Sequence, residues 1–433
     1  MISRDVWVEM IRDFQESPLP ESKERDINID CEPKVQRAIS LIGPRRAGKT
    51  YLLFIAAGKM MEKYGKNRCI YINLEDDRLL GCELPDLRNL LKISYDLQPG
   101  NSQGKTWLFL DEIQNVPDWE KFVRSAMDSG KAQVFISGSS AKLLGKEIAT
   151  AMRGRAISYT ILPFSFHEIL KMKGIPPENL STSGRARLFS VLEDYLNYGG
   201  YPEVVLYPEQ REKILREIMD VTIYRDIIDR YKVNNSRVLK LFLKGLLSST
   251  SLSIHKFHLF LKSQGISVSK NTLYNYLGYF ADSLVVFPLK KYSLSYKEAE
   301  QSIPKIYFVD NGLLGFTGAS TRAKLFENMV FVELLKSGHA PNEGLWHYSS
   351  GKEVDFVVAR GGKALRLIQA SYDVSGYETK DREVRALVQA SEELKCDKLE
   401  VVTWDYEAEE AHSGKKISFI PFWKFAIKQS LMP

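Results

Sequence analysis

Leu41-Ile42-Gly43-Pro44-Arg45-Arg46-Ala47-Gly48-Lys49-Thr50 is the stretch that decides how this chain is read. An apolar run, Ala38 to Ile42, stops at a glycine-framed loop followed by Lys49 and Thr50, which fits the GxxxxGK[ST] pattern of a phosphate-binding loop. Gly43 and Gly48 let the backbone turn so that N–H groups of the loop and of the helix behind it point at a polyphosphate. Lys49 would reach the β- and γ-phosphates and Thr50 would coordinate magnesium. ATP or GTP with Mg2+ is therefore the expected ligand, and Gly43, Pro44, Arg45, Arg46, Ala47, Gly48, Lys49, Thr50 and Tyr51 are its candidate contacts. The flanks suit this, since Ala38 to Ile42 reads as a buried strand and Thr50 to Tyr64 as a helix.

A second element lies about 60 residues on. Trp107 to Leu110 is a short apolar run ending in Asp111-Glu112, so a strand delivers two carboxylates to its C-terminal edge, where open α/β sheets bind ligands. Asp111 would hold the magnesium through water, and Glu112 would act on the attacking water as the catalytic base. The run Gln133 to Ile136 ends in Ser137-Gly138-Ser139-Ser140, and a serine here, Ser137 first, could sense the γ-phosphate. Cys69 to Leu74 and Ala156 to Leu162 complete about five strands alternating with helices, a doubly wound parallel sheet. Arg153 and Arg155, in Met152-Arg153-Gly154-Arg155, are candidate cations for the transition state.

Composition narrows the class. The chain has 433 residues, 44% of them hydrophobic, enough for several cores. No apolar run approaches the roughly 20 residues needed to cross a bilayer, and MISRDVWVEM carries acids where a signal peptide would be apolar, so a cytoplasmic protein without a membrane partner is expected. Cys31, Cys69, Cys82 and Cys396 are far apart with no CxxC pairing, which points to buried thiols and not to zinc or a disulfide framework. The net charge is +6, but Lys232 to Glu300 alone holds ten Lys and Arg against three acids, a surplus of +7.

That basic segment reads as a winged helix: helices over Val238 to Leu247, Ile254 to Gln264 and Asn271 to Phe280, then a hairpin from Leu284-Val285-Val286-Phe287 and Lys305 to Val309 with a basic turn at Lys290-Lys291. A helix, a turn containing Gly265 and a second helix beginning at Ser269 is the helix-turn-helix arrangement. Lys270, Asn271, Thr272 and Tyr274 at its N-terminal end, with Lys290 and Lys291, are the DNA-binding candidates. Protein partners also use such folds, so the fold by itself leaves the partner open.

Four stretches, GPRRAGKT, LFLDEIQ, ISGSSA and RGRAISYTILPFSFHEIL, resemble in order and spacing the ATPase core of an archaeal and bacterial AAA+ family, in the STAND-like branch of P-loop ATPases, often paired with a C-terminal domain of unknown function. Tyr198-Gly199-Gly200-Tyr201-Pro202-Glu203-Val204 resembles that family's GG[FY]P element. Membership of the additional-strand catalytic glutamate class implies the base role for Glu112. The last hundred residues resemble the PD-(D/E)xK nuclease core: Glu327 on a helix, Asp355 on the strand Glu353 to Val358, a second strand Leu365 to Ser371, then a helix from about Thr379 to Ser391. Where that pattern has (D/E)xK, this chain has Gln369-Ala370-Ser371, so a metal ligand is weakened to a neutral amide and the lysine is missing. Lys380 is the candidate for a migrated lysine, with Glu327 and Glu383 restoring charge.

The expected architecture is α/β: a P-loop additional-strand ATPase sheet over residues 1–163, a helical lid over 164–233, a winged helix over 234–317 and a restriction-endonuclease-like α/β domain over 318–433. The expected function is an ATPase that holds or remodels duplex or branched DNA, four-way junctions included, with a homo-oligomer compatible and nuclease activity undecided. The alternative is a nucleotide-dependent switch or scaffold that binds a protein partner through the winged helix.

Overall fold

A computed structural model describes residues 1–97, 104–138, 152, 154–178, 181–316, 318 and 320–430. The chain forms two compact units, Met1–Leu162 and Pro163–Pro433.

The first unit is built on five parallel strands, β1 (Ala38–Ile42), β2 (Cys69–Asn73), β3 (Thr106–Asp111), β4 (Ala132–Gly138) and β5 (Ala156–Thr160), in the order β2-β3-β4-β1-β5. All residues of β1, β3 and β4 are buried because helices cover both faces, which is why these strands read as continuous apolar runs. Alternation splits the core in two. Ala38, Ile42, Leu108, Leu110 and Ile136 face a cluster with Trp7, Met10, Leu87, Leu90 and Phe122, whereas Ile39, Leu41, Trp107, Phe109 and Phe135 face Leu52, Leu53 and Ala56 of the helix Lys49–Tyr64. Strand β4 lies between β1 and β3, so the loop after β1 and the carboxylates after β3 are separated by one strand at the same edge.

In the second unit, helices Phe166–Met172, Thr182–Tyr198, Pro202–Leu206 and Arg211–Val221 come first, with a π-helical turn at Thr222–Asp229. Helices Ser236–Ser248, Ile254–Ser263 and Lys270–Asp282 follow, capped by Asn235, Ser253 and Ser269. Val238, Leu239, Phe242, Leu243, Leu246 and Leu247 are buried at helical spacing. Strands β6 (Val286–Leu289) and β7 (Lys305–Phe308) then pair antiparallel. The remaining strands, β8 (Leu345–Ser350), β9 (Lys352–Arg360), β10 (Lys363–Ser371), β11 (Leu399–Thr403), β12 (Ala408–His412) and β13 (Lys415–Pro421), form a mixed sheet in the order β12-β13-β11-β10-β9-β8. Its core is closed by Val384, Leu387 and Ala390 of the helix Tyr377–Leu394 against Val357, Leu367 and Val401.

The glycine pair of the YGGYP stretch has a structural cause. The Gly200 N–H donates to Asp310 Oδ2 at 2.7 Å, and the Gly312 N–H to Asp310 Oδ1 at 2.8 Å. A Cβ on Gly200 would lie 2.1 Å from the Phe164 carbonyl oxygen, and one on Gly199, at φ +71°, would meet the Asp310 carboxylate at 1.8 Å. Burial pushes Asp310 up to about 6. Nearby, Tyr195 donates its hydroxyl to Glu333 at 2.6 Å and Lys336 donates to the Phe164 carbonyl at 2.7 Å. The segments read as lid, winged helix and nuclease-like region are thus joined by one buried polar network.

Candidate functional site

The phosphate loop is braced from below. A Cβ on Gly43 would sit 1.9 Å from the Ile161 carbonyl oxygen, so the chain just past β5 leaves room only for glycine there. Arg46 and Gly48 take left-handed backbone conformations, φ 59° and 97°. Gly48 starts the helix Lys49–Tyr64 without a side-chain cap, which leaves its first N–H groups to an anion. Lys49 is buried and donates Nζ to the carbonyls of Gly43 at 3.1 Å and Pro44 at 2.9 Å. Arg45 pairs with Glu75 at 3.4 Å, while Arg46 and Tyr51 are exposed.

Asp111 gathers the hydroxyls of three elements. Its Oδ2 accepts from Thr50 Oγ1 at 2.6 Å and from Tyr71 at 2.9 Å, and its Oδ1 accepts from Ser137. Burial, helped by Asp111, pushes the Tyr71 hydroxyl far above its ordinary range, so it stays a donor. Glu112 follows in a left-handed conformation, φ 53°, and its N–H donates to Ser137 Oγ at 3.1 Å. Its carboxylate accepts from the Gln114 side-chain amide. Sequence reasoning found Lys49, Thr50, Asp111, Glu112 and Ser137, and the fold brings these together. It missed Tyr71, Gln114 and Arg25; the last donates to the Ala47 carbonyl at 3.2 Å and the Leu162 carbonyl at 2.7 Å, pinning the loop to the end of β5. No local pattern marks those three.

The arginine candidates fare differently. Arg153, with Ser139 and Ser140, lies outside the described residues. Arg155 precedes β5 and its carbonyl accepts from Ala38 N–H at 2.9 Å, which puts it at the amino edge of the sheet. Five residues of β5 separate it from the loop edge, roughly 15 Å at strand rise, and its side chain pairs with Asp128. It does not enter the site of its own chain.

In the second unit, Lys290 and Lys291 pair with Glu300 at 2.6 Å and Glu298 at 2.5 Å, so the charge of this turn is offset within the fold. Their backbone is also held: Lys290 N–H donates to Asn342, and Lys291 bridges to His347 of β8. Lys270, Asn271 and Tyr274 are exposed at the start of the Lys270–Asp282 helix, and Thr272 is half-buried beneath the Ser269 cap. Lys380 does not join the acids near Asp355. It pairs with Glu410 at 2.5 Å and Tyr406 at 3.2 Å. Gln369 accepts from the Asp355 N–H at 3.2 Å and donates to Glu383, which is also paired with Arg382. The cation beside Asp355 is Lys305, from β7, at 2.7 Å. Burial pushes Asp355 up to about 7 even so. Among the described residues no group of three His, Cys, Asp or Glu is placed to hold a metal ion.

The four cysteines are all free and buried. No helix among the described residues is long and apolar enough to cross a membrane.

A parallel sheet in this strand order, a glycine-framed loop feeding a helix, and a Thr–Asp–Ser contact beside a glutamate define a P-loop ATPase domain of the AAA class. Residues 35–170 match the AAA domain family, residues 190–323 a domain of unknown function (DUF8612) and residues 322–425 another (DUF4143). The chain is 37% identical to the uncharacterized protein MJ1544 of Methanocaldococcus jannaschii over 418 residues, 93% of this chain and 90% of that one, and it belongs to that protein's family. An uncharacterized protein of Haemophilus influenzae is 29% identical over 340 residues, 77% of this chain and 82% of its own. Among solved structures, the Orc1 protein of Aeropyrum pernix in complex with DNA is similar with a TM-score of 0.31 and 12% identity, covering 74% of this chain and 92% of that one.

Proposed function

We propose that the protein hydrolyses ATP with magnesium and uses the nucleotide cycle to hold or remodel duplex or branched DNA. The observation that carries the hydrolase reading is the convergence of Thr50, Asp111, Ser137 and Glu112 at one sheet edge, with Lys49 one residue before Thr50. The Thr50 hydroxyl and Asp111 carboxylate suit a hard cation. Magnesium, when bound, neutralises charge on the phosphoryl oxygens. Lys49 exchanges its loop carbonyls for phosphate oxygens, Glu112 takes the proton of the attacking water, and Ser137 links both acids so that a change at one is felt at the other. Glu112→Gln should retain ATP binding and lose turnover by orders of magnitude; full turnover would sink the assignment of the base.

DNA is supported by the exposed start of the Lys270–Asp282 helix together with Lys256 and Lys262 on the helix before it, which have no acidic partner among the described residues. Each such cation can displace a counterion from a phosphate. A second reading, a nucleotide-timed switch for a protein partner, is favoured by the same surface, where Leu259, Phe260 and Tyr274 are 50%, 53% and 59% exposed. Anisotropy with fluorescent duplex and four-way junction DNA at rising salt separates the two. Affinity falling steeply with log salt supports DNA; binding no tighter than that of a neutral control protein leaves the partner reading.

A further inference from the structure

Three carboxylates converge on one atom in the second unit. Lys305 Nζ lies 2.8 Å from Glu327, 2.5 Å from Glu353 and 2.7 Å from Asp355. The lysine and Asp355 side chains are less than a tenth exposed and Glu327 is mostly buried, so these two contacts lie inside the fold, whereas Glu353, 53% exposed, closes the cluster from the surface. The other ligand positions are also taken. Asp355 Oδ2 accepts from the Ala370 N–H at 2.9 Å, Glu327 accepts from the Tyr307 hydroxyl at 2.6 Å, and Gln369 spends both ends of its amide on Asp355 and Glu383.

A divalent cation needs several oxygens directed at it within about 2.0–2.6 Å. Here the acids that could supply them surround an ammonium, and the group that would complete the set is a neutral amide committed to the fold. We infer that Lys305 is the resident cation of the C-terminal sheet: its ε-ammonium takes the place of a divalent metal and closes this part of the protein to metal-dependent hydrolysis. The same lysine ties β7 to β9 and to the helix Arg322–Lys336, so the position that would serve chemistry serves the joint between the hairpin and the sheet.

The arrangement makes a sharp contrast available. Three acidic side chains face one ammonium, and a cavity of about 280 Å³, lined by Ser302, Lys305, His347, Ser349 and Glu353 among others, leads to it. Removing the ammonium should therefore admit a small dication.

Mn2+ titration of the nucleotide-free full chain, followed by electron paramagnetic resonance, tests this with wild type, Asp355→Asn, Lys305→Met and the double variant. Wild type and Asp355→Asn should bind Mn2+ alike, Lys305→Met should gain one site, and the double variant should lose it. A Mn2+ site in wild type that Asp355→Asn removes would overturn the inference, and so would a folded Lys305→Met protein that gains none. If Lys305→Met does not fold, wild type against Asp355→Asn decides alone: equal binding supports the inference, a difference overturns it.

Discussion

Gln114 holds the carboxylate of Glu112 through its side-chain amide, two residues away across a left-handed backbone turn. The Gln114 side-chain carbonyl oxygen is buried with no hydrogen-bond partner among the described residues, so the amide is anchored at its nitrogen end, on the glutamate. A carboxylate engaged in this way is restrained by the amide. Gln114→Ala should raise basal ATP hydrolysis by about tenfold, the worth of one hydrogen bond to a charged group, with ATP affinity unchanged. Steady-state turnover and nucleotide titration check this, and a fall in turnover would make Gln114 an orienting group instead.

Gly43→Ala should remove nucleotide binding as thoroughly as loss of Lys49, because its Cβ has no room against the Ile161 carbonyl. The expected readout is a fluorescent ATP analogue that no longer binds. Normal affinity would mean that the chain just past β5 yields, contrary to the packing described above.

Gly200→Ala lies far along the chain and should act through stability alone. Its Cβ would collide with the Phe164 carbonyl and would cost on the order of 3 kcal/mol. Thermal melting should show the loss, while ATP binding at low temperature stays near that of wild type.

For DNA, Lys270→Ala should weaken binding several-fold and flatten the salt dependence by about one phosphate contact. Lys290→Ala and Lys291→Ala should change it little, since each lysine already has a carboxylate partner. Equal losses at all three positions would restore the basic turn as an interface.

His347 supplies a pH dependence. Burial, reinforced by Lys305 and Lys291, pushes its imidazole down to about 4, and both ring nitrogens are buried without partners among the described residues. Between the ordinary value of 6.5 and about 4, the unfolded chain takes up a proton that the folded chain refuses. The stability due to this group is thus present above 6.5 and lost as pH falls through that window, up to about 3 kcal/mol. The melting-temperature gap between wild type and His347→Gln should shift against wild type from pH 7 to pH 4.5; a constant gap would contradict the shift.

The ATPase sheet was legible because its information is local. A buried strand, a glycine loop and a helix fall within Ala38 to Tyr64, and β3 announces itself by an apolar run ending in two acids. The second unit was less legible: β9, β10 and the helix after them follow from alternation and helical spacing, but β12 alternates half-buried and exposed positions in a short polar stretch, Ala408 to His412, that has no apolar signature. The sign of the charge at Lys290 and Lys291 was readable, whereas their neutralisation by Glu298 and Glu300 depends on a short helix returning against the strand end.

By itself, then, the sequence determined the phosphate loop, the paired acids Asp111 and Glu112, and the weakened Gln369-Ala370-Ser371, since each is a property of neighbouring residues along the chain. Only the tertiary structure decided which groups meet across it. Arg25 reaches the loop from 22 residues away; Arg155 is carried to the far edge by the direction of β5; and Lys305, 50 residues before Asp355, fills the place for which Lys380 was the sequence candidate. Spacing along a chain fixes local geometry, but the partner of a buried charge is chosen by whichever long-range element lowers its desolvation cost.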